Sequence, residues 1–272
     1  MTTTPNRIVR GLPAAQYHAD RSAISKHWLD ELHVAPARYK WKLANPERER
    51  TAALRWGTLL DSLMFDGAEH VVCPAPAAIT SKQQKAWKEF AAEAESQGRE
   101  AVTASEWEAL CGQRESMLAH PASRALLTGD AEFQQSVFWE DEETGILCRG
   151  RPDSVTCRGI VADLKTTEDA SPAAFARSCA TYRYHVQAAM YLDGLRRNDA
   201  DIDVFSFIAV EKEPPYLTAV YAADDIFLSR GREEYRADLR TFARCLETDT
   251  WPGYPPTIQP ISLPAWALKN QN

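Results

Sequence analysis

The 272-residue chain lacks any run of about 18 apolar residues, so nothing in it has the length of a membrane-spanning helix. Its opening segment, MTTTPNRIVRGLP, has none of the apolar stretch that a secretory signal needs, and a cytoplasmic protein is expected. The six cysteines, at 73, 111, 148, 157, 179 and 245, contain no C-x-x-C pair and form no metal-type cluster. Reduced thiols of a cytosolic protein fit this pattern better than a disulfide framework or a zinc or iron–sulfur site. The six histidines show no ligand spacing with those cysteines either. An excess of positive charge is also missing: the formal net charge is -7 and the pI about 5.5. That argues against a protein that coats nucleic acid non-specifically, since phosphate affinity needs clustered Lys and Arg. It leaves room for an enzyme whose carboxylate site needs divalent cations before it tolerates a phosphate. No internal repeat is present.

What is there is ordinary globular material, 44% hydrophobic and 25% charged, enough for a substantial core in one elaborated α/β domain. Residues 1–16 read as a loose N-terminal leader, and 17–272 as a single domain with helical N-terminal elaborations and an extended C-terminal strap. Ser25 stands at a plausible N-cap before KHWLDEL, and Pro36 separates this helix from a second short one over 37–44. The spacing of WGTLLDSLMF (56–65) suits a buried helix that carries one carboxylate, Asp61. Lys82, Lys85 and Lys88 recur along a later helix, most simply as a solvated face. A helix pair over 105–128 breaks at His120-Pro121.

The middle of the chain changes character. Runs 135–140 and 146–155 are strand-like around the hairpin composition DEETG, and 159–166 reads as a central strand. Ser171-Pro172 marks a helix start, and 184–197 gives a further helix. Strands over 204–210 and 217–222 follow, then a charged helix from about Asp224 to Leu246. The Pro-rich tail WPGYPPTIQPISLP is expected to be ordered by Trp251, Tyr254 and Trp266.

Alternation in the strand 146–155 would place Arg149, Arg151 and Asp153 on one face. Ten residues beyond Asp153, Asp163 and Lys165 flank Leu164, so in a strand both side chains share a face with Leu164 behind. A lone D-x-K is usually a surface ion pair. Here it follows an Arg-Pro-Asp at the spacing of two adjacent strand ends, and precedes a helix on which Gln187 and Tyr191 are neighbours. Phosphodiester hydrolysis has use for such a group. Asp153, Asp163 and the Leu164 carbonyl would hold Mg²⁺ in a hard, oxygen-only site, and Lys165 would orient or help deprotonate the attacking water.

The stretches YHADRSAISKHWLDEL, WGTLLDSLMFD, FWEDEETGILCRGRPDSV, VADLKTT and YRYHVQAAMYLDG together resemble the nuclease domain of RecE-type enzymes (exonuclease VIII) in the PD-(D/E)XK superfamily. The likeness runs from about Tyr17 to the SLPAW segment. It implies a restriction-endonuclease-like α/β (α+β) fold with a central mixed sheet flanked by helices. It further implies a Mg²⁺-dependent exonuclease, with Mn²⁺ able to substitute, that digests linear double-stranded DNA 5′ to 3′ and leaves 3′ overhangs. The implied partners are a RecT-like annealing protein and further copies of the chain in a ring, a tetramer favoured over a trimer. An endonuclease, a single-strand nuclease and a catalytically impaired DNA-end binding module are the alternatives. By this likeness Asp153 and Asp163 match the two acidic metal positions, Lys165 the motif lysine, and Gln187 and Tyr191 the Q-x-x-x-Y helix. Ser25, with Arg149, Arg151 and Thr166 beside the central motifs, supplies the candidate substrate contacts. One departure stands out: Asp61 follows Gly57 by four residues, where the family has a metal-binding His. Asp suits Mg²⁺ as well, so a metal role is expected for it. Arg48, Arg50, Arg55 and the three lysines are candidates for a DNA channel.

Overall fold

A computed structural model describes residues 5–45, 51–66, 72–79 and 81–263. Arg48, Arg50 and Trp266, to which roles were assigned above, lie outside the described residues.

The chain begins with β1 (Arg7–Val9), α1 (Ala14–Ala19) and β2 (Ile24–Ser25), then α2 (Lys26–Val34) and α3 (Pro36–Ala44). The expected leader is therefore structured from Arg7: β1 pairs antiparallel with β6 (Ser136–Glu140), Ile8 opposite Val137. Pro36 opens α3 from its first turn, where a missing N–H costs nothing. α4 (Ala52–Asp61) is capped by Thr51, whose hydroxyl accepts from the Leu54 N–H, and runs into a π-helical turn, Ser62–Asp66. β3 (Val72–Pro74), α5 (Lys85–Ser96) and β4 (Glu100–Val102) form a small satellite. α6 (Ala104–Ala119) and α7 (Pro121–Thr128) divide at His120-Pro121 as expected, because a residue before proline is pushed out of the helical region.

β5 (Ala131–Phe133) and β6 lead by a hairpin into β7 (Leu147–Gly150), after which come β8 (Ser154–Thr156) and β9 (Ile160–Thr167). α8 (Pro172–Thr181), α9 (Tyr184–Arg196), β10 (Val204–Glu211), β11 (Thr218–Ala222) and α10 (Asp225–Thr248) complete the order.

Two sheets carry the architecture, with orders β1-β6-β7-β2 and β11-β10-β9-β8-β5. Both are mixed: β9 runs parallel to β10, and β2 parallel to β7, among antiparallel neighbours. The run 146–155 is thus not one strand. It leaves one sheet at Gly150 and enters the other at Ser154, so Arg151-Pro152-Asp153 forms the crossing. Pro152 cannot donate to a ladder, which suits a break there. Arg149 and Asp153 consequently do not share a strand face.

β9 and β10 are buried on both sides, which is why their sequences are nearly continuous apolar runs. Val161, Phe205, Phe207 and Ala209 pack into a large core with Phe175 of α8, Val186 and Met190 of α9, and Tyr235 and Leu239 of α10. Ala162, Leu164, Ile208 and Val210 face the opposite core with Leu59, Leu60, Leu110, Met117 and Leu127. Each such fully buried Leu or Phe contributes about 1.5–3 kcal/mol. Asp163 and Lys165, by the period of two, fall on the α9 side among apolar neighbours.

α9 and α10 approach closely where α10 carries Gly231: a Cβ there would run into the His185 carbonyl and the Ala189 methyl. The obstacle is backbone, which cannot swing away. Gly231→Ala is expected to destabilise the protein by about 1–3 kcal/mol, read as a lower urea midpoint at unchanged slope. An unchanged midpoint would mean that the two helices are free to separate. Past α10, Trp251 stacks on Tyr39 at 5.4 Å and 19°, anchoring the start of the tail as expected. Tyr254, in contrast, is 78% exposed and orders nothing.

Candidate active site

The site forms where the crossing 151–153 meets the C-terminal half of β9. β8 pairs with β9 only as far as Ser154 opposite Ala162, so beyond that point the edge of β9 is left to Asp153. Asp153 takes the place of a ladder partner: its Oδ2 accepts from the Leu164 N–H at 2.6 Å. The N–H and C=O of one strand residue point to the same side, so the Leu164 carbonyl faces Asp153 too. This is the oxygen that the sequence reading assigned to a metal.

Asp163 is 3% exposed, and both its oxygens are engaged. Oδ1 accepts from Gln187 Nε2 at 2.6 Å, and Oδ2 from the Lys165 ammonium. Gln187 thus reaches back from α9 to the strand, as its place one turn before Tyr191 suggested. Tyr191 is half-buried, its ring against Gly150: a Cβ at Gly150 would stand 2.8 Å from two ring carbons. Glycine at that point lets the α9 tyrosine reach the edge of β7. Burial, first of all, pushes the Tyr191 phenol well above its usual range, and the Tyr17, Asp163 and Asp153 charges push the same way against the Arg151 backbone N–H. Tyr191 is therefore a protonated hydrogen-bonding support rather than a base.

Asp61, at the end of α4, completes the acidic group. Burial raises its carboxyl to about 7, the nearby Asp163 and Asp66 charges add to this, and Lys165 opposes them. Asp153 is pushed well above the carboxylate range, by burial first and then by Asp163 and Asp61, against Lys165 and the Leu164 N–H. For Lys165 burial works against the charge, but Asp163, Tyr184 and Asp153 outweigh it and hold the ammonium above its usual range. Three carboxylates thus face one lysine, an excess of buried negative charge that raised acid pKa values register.

The donor set fits a hard divalent cation: carboxylate and carbonyl oxygens only, with neither sulfur nor imidazole. Among the described residues no three acidic, His or Cys side chains are drawn into a finished ligand cluster. Lys165 and Gln187 occupy the two Asp163 oxygens, and the Leu164 N–H holds Asp153. An ion would have to displace the ammonium from Asp163.

The candidate substrate contacts divide. Thr166 borders a cleft of about 320 Å³ beside β9, lined also by Tyr182, Tyr184, Arg177 and Lys212. Ser25 sits opposite Arg149 in the β2–β7 pair and precedes α2, but its hydroxyl makes no capping bond. Arg149 is 2% exposed and donates to the Tyr17 carbonyl, with its guanidinium 4.6 Å from the Tyr17 ring. Arg151 donates to the Leu12 carbonyl at 2.8 Å and to Ser136 Oγ at 2.9 Å. In this structure both arginines fasten the N-terminal segment to β7, rather than facing an open substrate surface together. Three of the channel candidates are engaged as well: Arg55 pairs with Glu100 and Glu106, Lys82 with Glu106, and Lys85 with Glu89.

Some functional neighbours escaped the sequence reading. Lys26 donates to the Tyr182 carbonyl at 2.6 Å and pairs with Asp30, and its pKa is lowered, by burial first and also by Lys165 and Arg183. Arg183, at φ 53°, ties Asp30, Glu234 and Asp238 together. Tyr184 lies 4.9 Å from the Lys165 ammonium. The ISK and YRYH stretches were noticed, but nothing in spacing joins positions 26, 165 and 183.

A D-x-K strand edge, an aspartate from the preceding strand junction and a supporting glutamine helix on a mixed sheet define a nuclease of the PD-(D/E)XK class. The chain belongs to the family described as a PDDEXK-like domain of unknown function (DUF3799), whose model matches residues 25–262. No curated protein gives a significant sequence match. Among solved structures, the chain is similar to a protein from Eubacterium rectale described as a candidate exonuclease, with TM-score 0.62 and 15% identity over 97% of this chain and 100% of that one. An alkaline exonuclease from Laribacter hongkongensis shares 14% identity over 67% of this chain and 95% of its own, with TM-score 0.29. Among the described residues, no helix is long and apolar enough to cross a membrane.

Proposed function

We propose that the protein is a Mg²⁺-dependent exonuclease that digests linear double-stranded DNA from 5′ to 3′, leaving 3′ overhangs for recombination by strand annealing. The observation that carries the nuclease reading is the convergence of Asp153, Asp163, the Leu164 carbonyl and Lys165 at one strand edge. The 5′-to-3′ polarity, the ring of identical subunits, preferably a tetramer, and a RecT-like partner rest on the RecE-type resemblance. Asp153, Asp163, Leu164 and Asp61 would hold the ion. Mg²⁺ so held supplies charge neutralisation of the phosphate and a more acidic water, and Mn²⁺ would serve in its place. Lys165 would leave Asp163 to orient the attacking water and face the charge that grows on the phosphate oxygens. Gln187 holds Asp163 in place by its 2.6 Å bond, so the carboxylate keeps its direction when the ammonium moves. Tyr191 packs its ring against Gly150 and so ties α9 to the end of β7.

The test is digestion of linear duplex DNA labelled at either end, with Mg²⁺ or Mn²⁺ and beside a closed circle. Loss of the 5′ label from the linear form alone is expected. Cutting of the circle would make the protein an endonuclease, preference for unpaired strands a single-strand nuclease, and no cutting with either metal a DNA-end binding module.

A further inference from the structure

The rings beside Lys165 form a series that the hydrolytic chemistry does not use. Phe207 of β10 and Tyr184 of α9 lie 5.7 Å apart at 28°, and Tyr184 and Tyr182 5.7 Å apart at 27°. Both pairs are near parallel. The inner members are packed into the core, while Tyr182 at the outer end is 59% exposed. Large aromatic side chains are costly to leave in water, and this one opens onto the 320 Å³ cleft that Thr166 borders. Two residues, Leu164 and Lys165, separate Thr166 from Asp163.

The turn that presents these rings is held firmly. Arg183 between them adopts a left-handed backbone, φ 53° and ψ 45°, unusual for a non-glycine residue. Its guanidinium meets Asp30 of α2 at 2.9 Å, and Glu234 at 3.2 Å and Asp238 at 2.7 Å of α10, so two helices hold the strained residue. Lys26 caps the Tyr182 carbonyl at 2.6 Å. A ring fixed in this way loses little entropy when something flat settles on it. The cleft also brings Arg177 and Lys212, although Lys212 is paired with Glu168 and Asp169 stands nearby. With charges of both signs, the cleft favours a planar, weakly polar group over a bare phosphate.

We propose that Tyr182 is a stacking platform for one unpaired nucleobase of the DNA strand entering the active site, extending the Phe207–Tyr184–Tyr182 series by a further ring. The platform deepens the nuclease reading and rests on it for its ligand. Its role is substrate affinity: the stacked base holds the strand end at the cleft beside Lys165, and it tolerates any sequence because every base has a π-face.

The experiment is a cycle between protein and substrate. Tyr182→Ala and Tyr182→Phe are compared with the unaltered protein on linear duplexes carrying a single abasic residue at each of the first four positions from the 5′ end. Base stacking is worth about 1–3 kcal/mol, so Tyr182→Ala is expected to raise KM about 5- to 150-fold, with kcat at saturation within about twofold. Tyr182→Phe should behave as the parent. At one position, removal of the base should reproduce the KM defect in the parent and add nothing in Tyr182→Ala. Additive effects at all four positions, or an unchanged KM in Tyr182→Ala, would overturn the platform. The same cycle read as DNA binding by fluorescence anisotropy separates the two readings. Binding without cutting would refute the nuclease and still report the coupling, and absence of both would refute the two together.

Discussion

Lys165→Ala is expected to lower DNA cleavage by about 10²–10⁴-fold, the range for loss of a positioned proton-transfer or charge-stabilising group. Among the described residues the side chain makes one ion pair, to Asp163, lies 4.9 Å from the Tyr184 ring, and is held charged by Asp163 and Asp153 together. Its loss also leaves Asp163 buried without its cation. Breaking a buried pair from one side costs about 3–5 kcal/mol, so the metal-free variant should unfold at a lower temperature than the parent. A divalent ion can supply the missing charge. Added Mg²⁺ should therefore raise the Tm of Lys165→Ala more than that of the parent, while activity stays lost. Such a pair of results separates a chemical role from a merely structural one. Recovery of cleavage on metal addition would assign Lys165 to folding alone.

A second large effect concerns Asp61. Its folded-state carboxyl sits at about 7, above the ordinary value of 3.8. Between those two pH values the folded protein keeps a proton that the unfolded chain has lost. The contribution of this group to stability therefore falls as pH rises through the window, and the full cost is present above pH 7. Asp61→Asn removes that cost. Metal-free Asp61→Asn should be more stable than the parent by an amount on the order of 2–4 kcal/mol at pH 8, from about 1.4 kcal/mol per pKa unit with allowance for coupling to its neighbours. The difference should vanish near pH 4. Denaturant midpoints at the two pH values give the answer, and a difference that is the same at both would disprove the account. With Mg²⁺ at pH 8 the order should reverse, since the parent gains a ligand contact that the amide lacks.

Together these expected effects describe a site whose unfavourable charge a bound divalent ion would relieve. Asp61, Asp153 and Asp163 are gathered by α4, the crossing 151–153 and β9, three separate pieces of the fold. The hydrophobic cores on the two faces of β9 hold them together against their repulsion. Asp at position 61, where the resembling family has His, leaves the donor set all oxygen, which suits Mg²⁺ and Mn²⁺ rather than softer metals.

Much of this could be read before any coordinates. The period of two around Leu164 put Asp163 and Lys165 side by side, and the apolar run of β9 marked it as central. Gln187, on the second helix after β9, was legible from its four-residue spacing to Tyr191 and from the family resemblance. The helix starts at Ser171-Pro172, His120-Pro121 and Asp224 were legible because they are local: proline fits the first turn, and the His120 and Asp224 side chains cap the N–H groups of Ser123 and Phe227.

Residues 146–155 show where sequence stops. Alternation alone cannot tell one strand from two strands in different sheets, and here Arg151-Pro152-Asp153 is a crossing, not a ladder. That difference decides the fate of the arginines. Arg149 and Arg151 turn to the N-terminal segment, and Asp153 alone turns to β9. The leader, similarly, reads as loose because three residues of strand have no periodicity to reveal them, yet β6 offers them an edge.

The sequence by itself determined the chemistry available, three aspartates and a lysine in a chain of mixed α/β pattern, since residue types and short-range periodicity are local properties. Only the tertiary structure decided which of them meet. Which carboxylate is raised, which arginine is spent on packing, and which tyrosine opens onto the cleft depend on burial and on contacts across 100 residues or more, as between Tyr17 and Arg149 at a separation of 132. Such contacts are set by the packing of whole elements, and no local pattern encodes them.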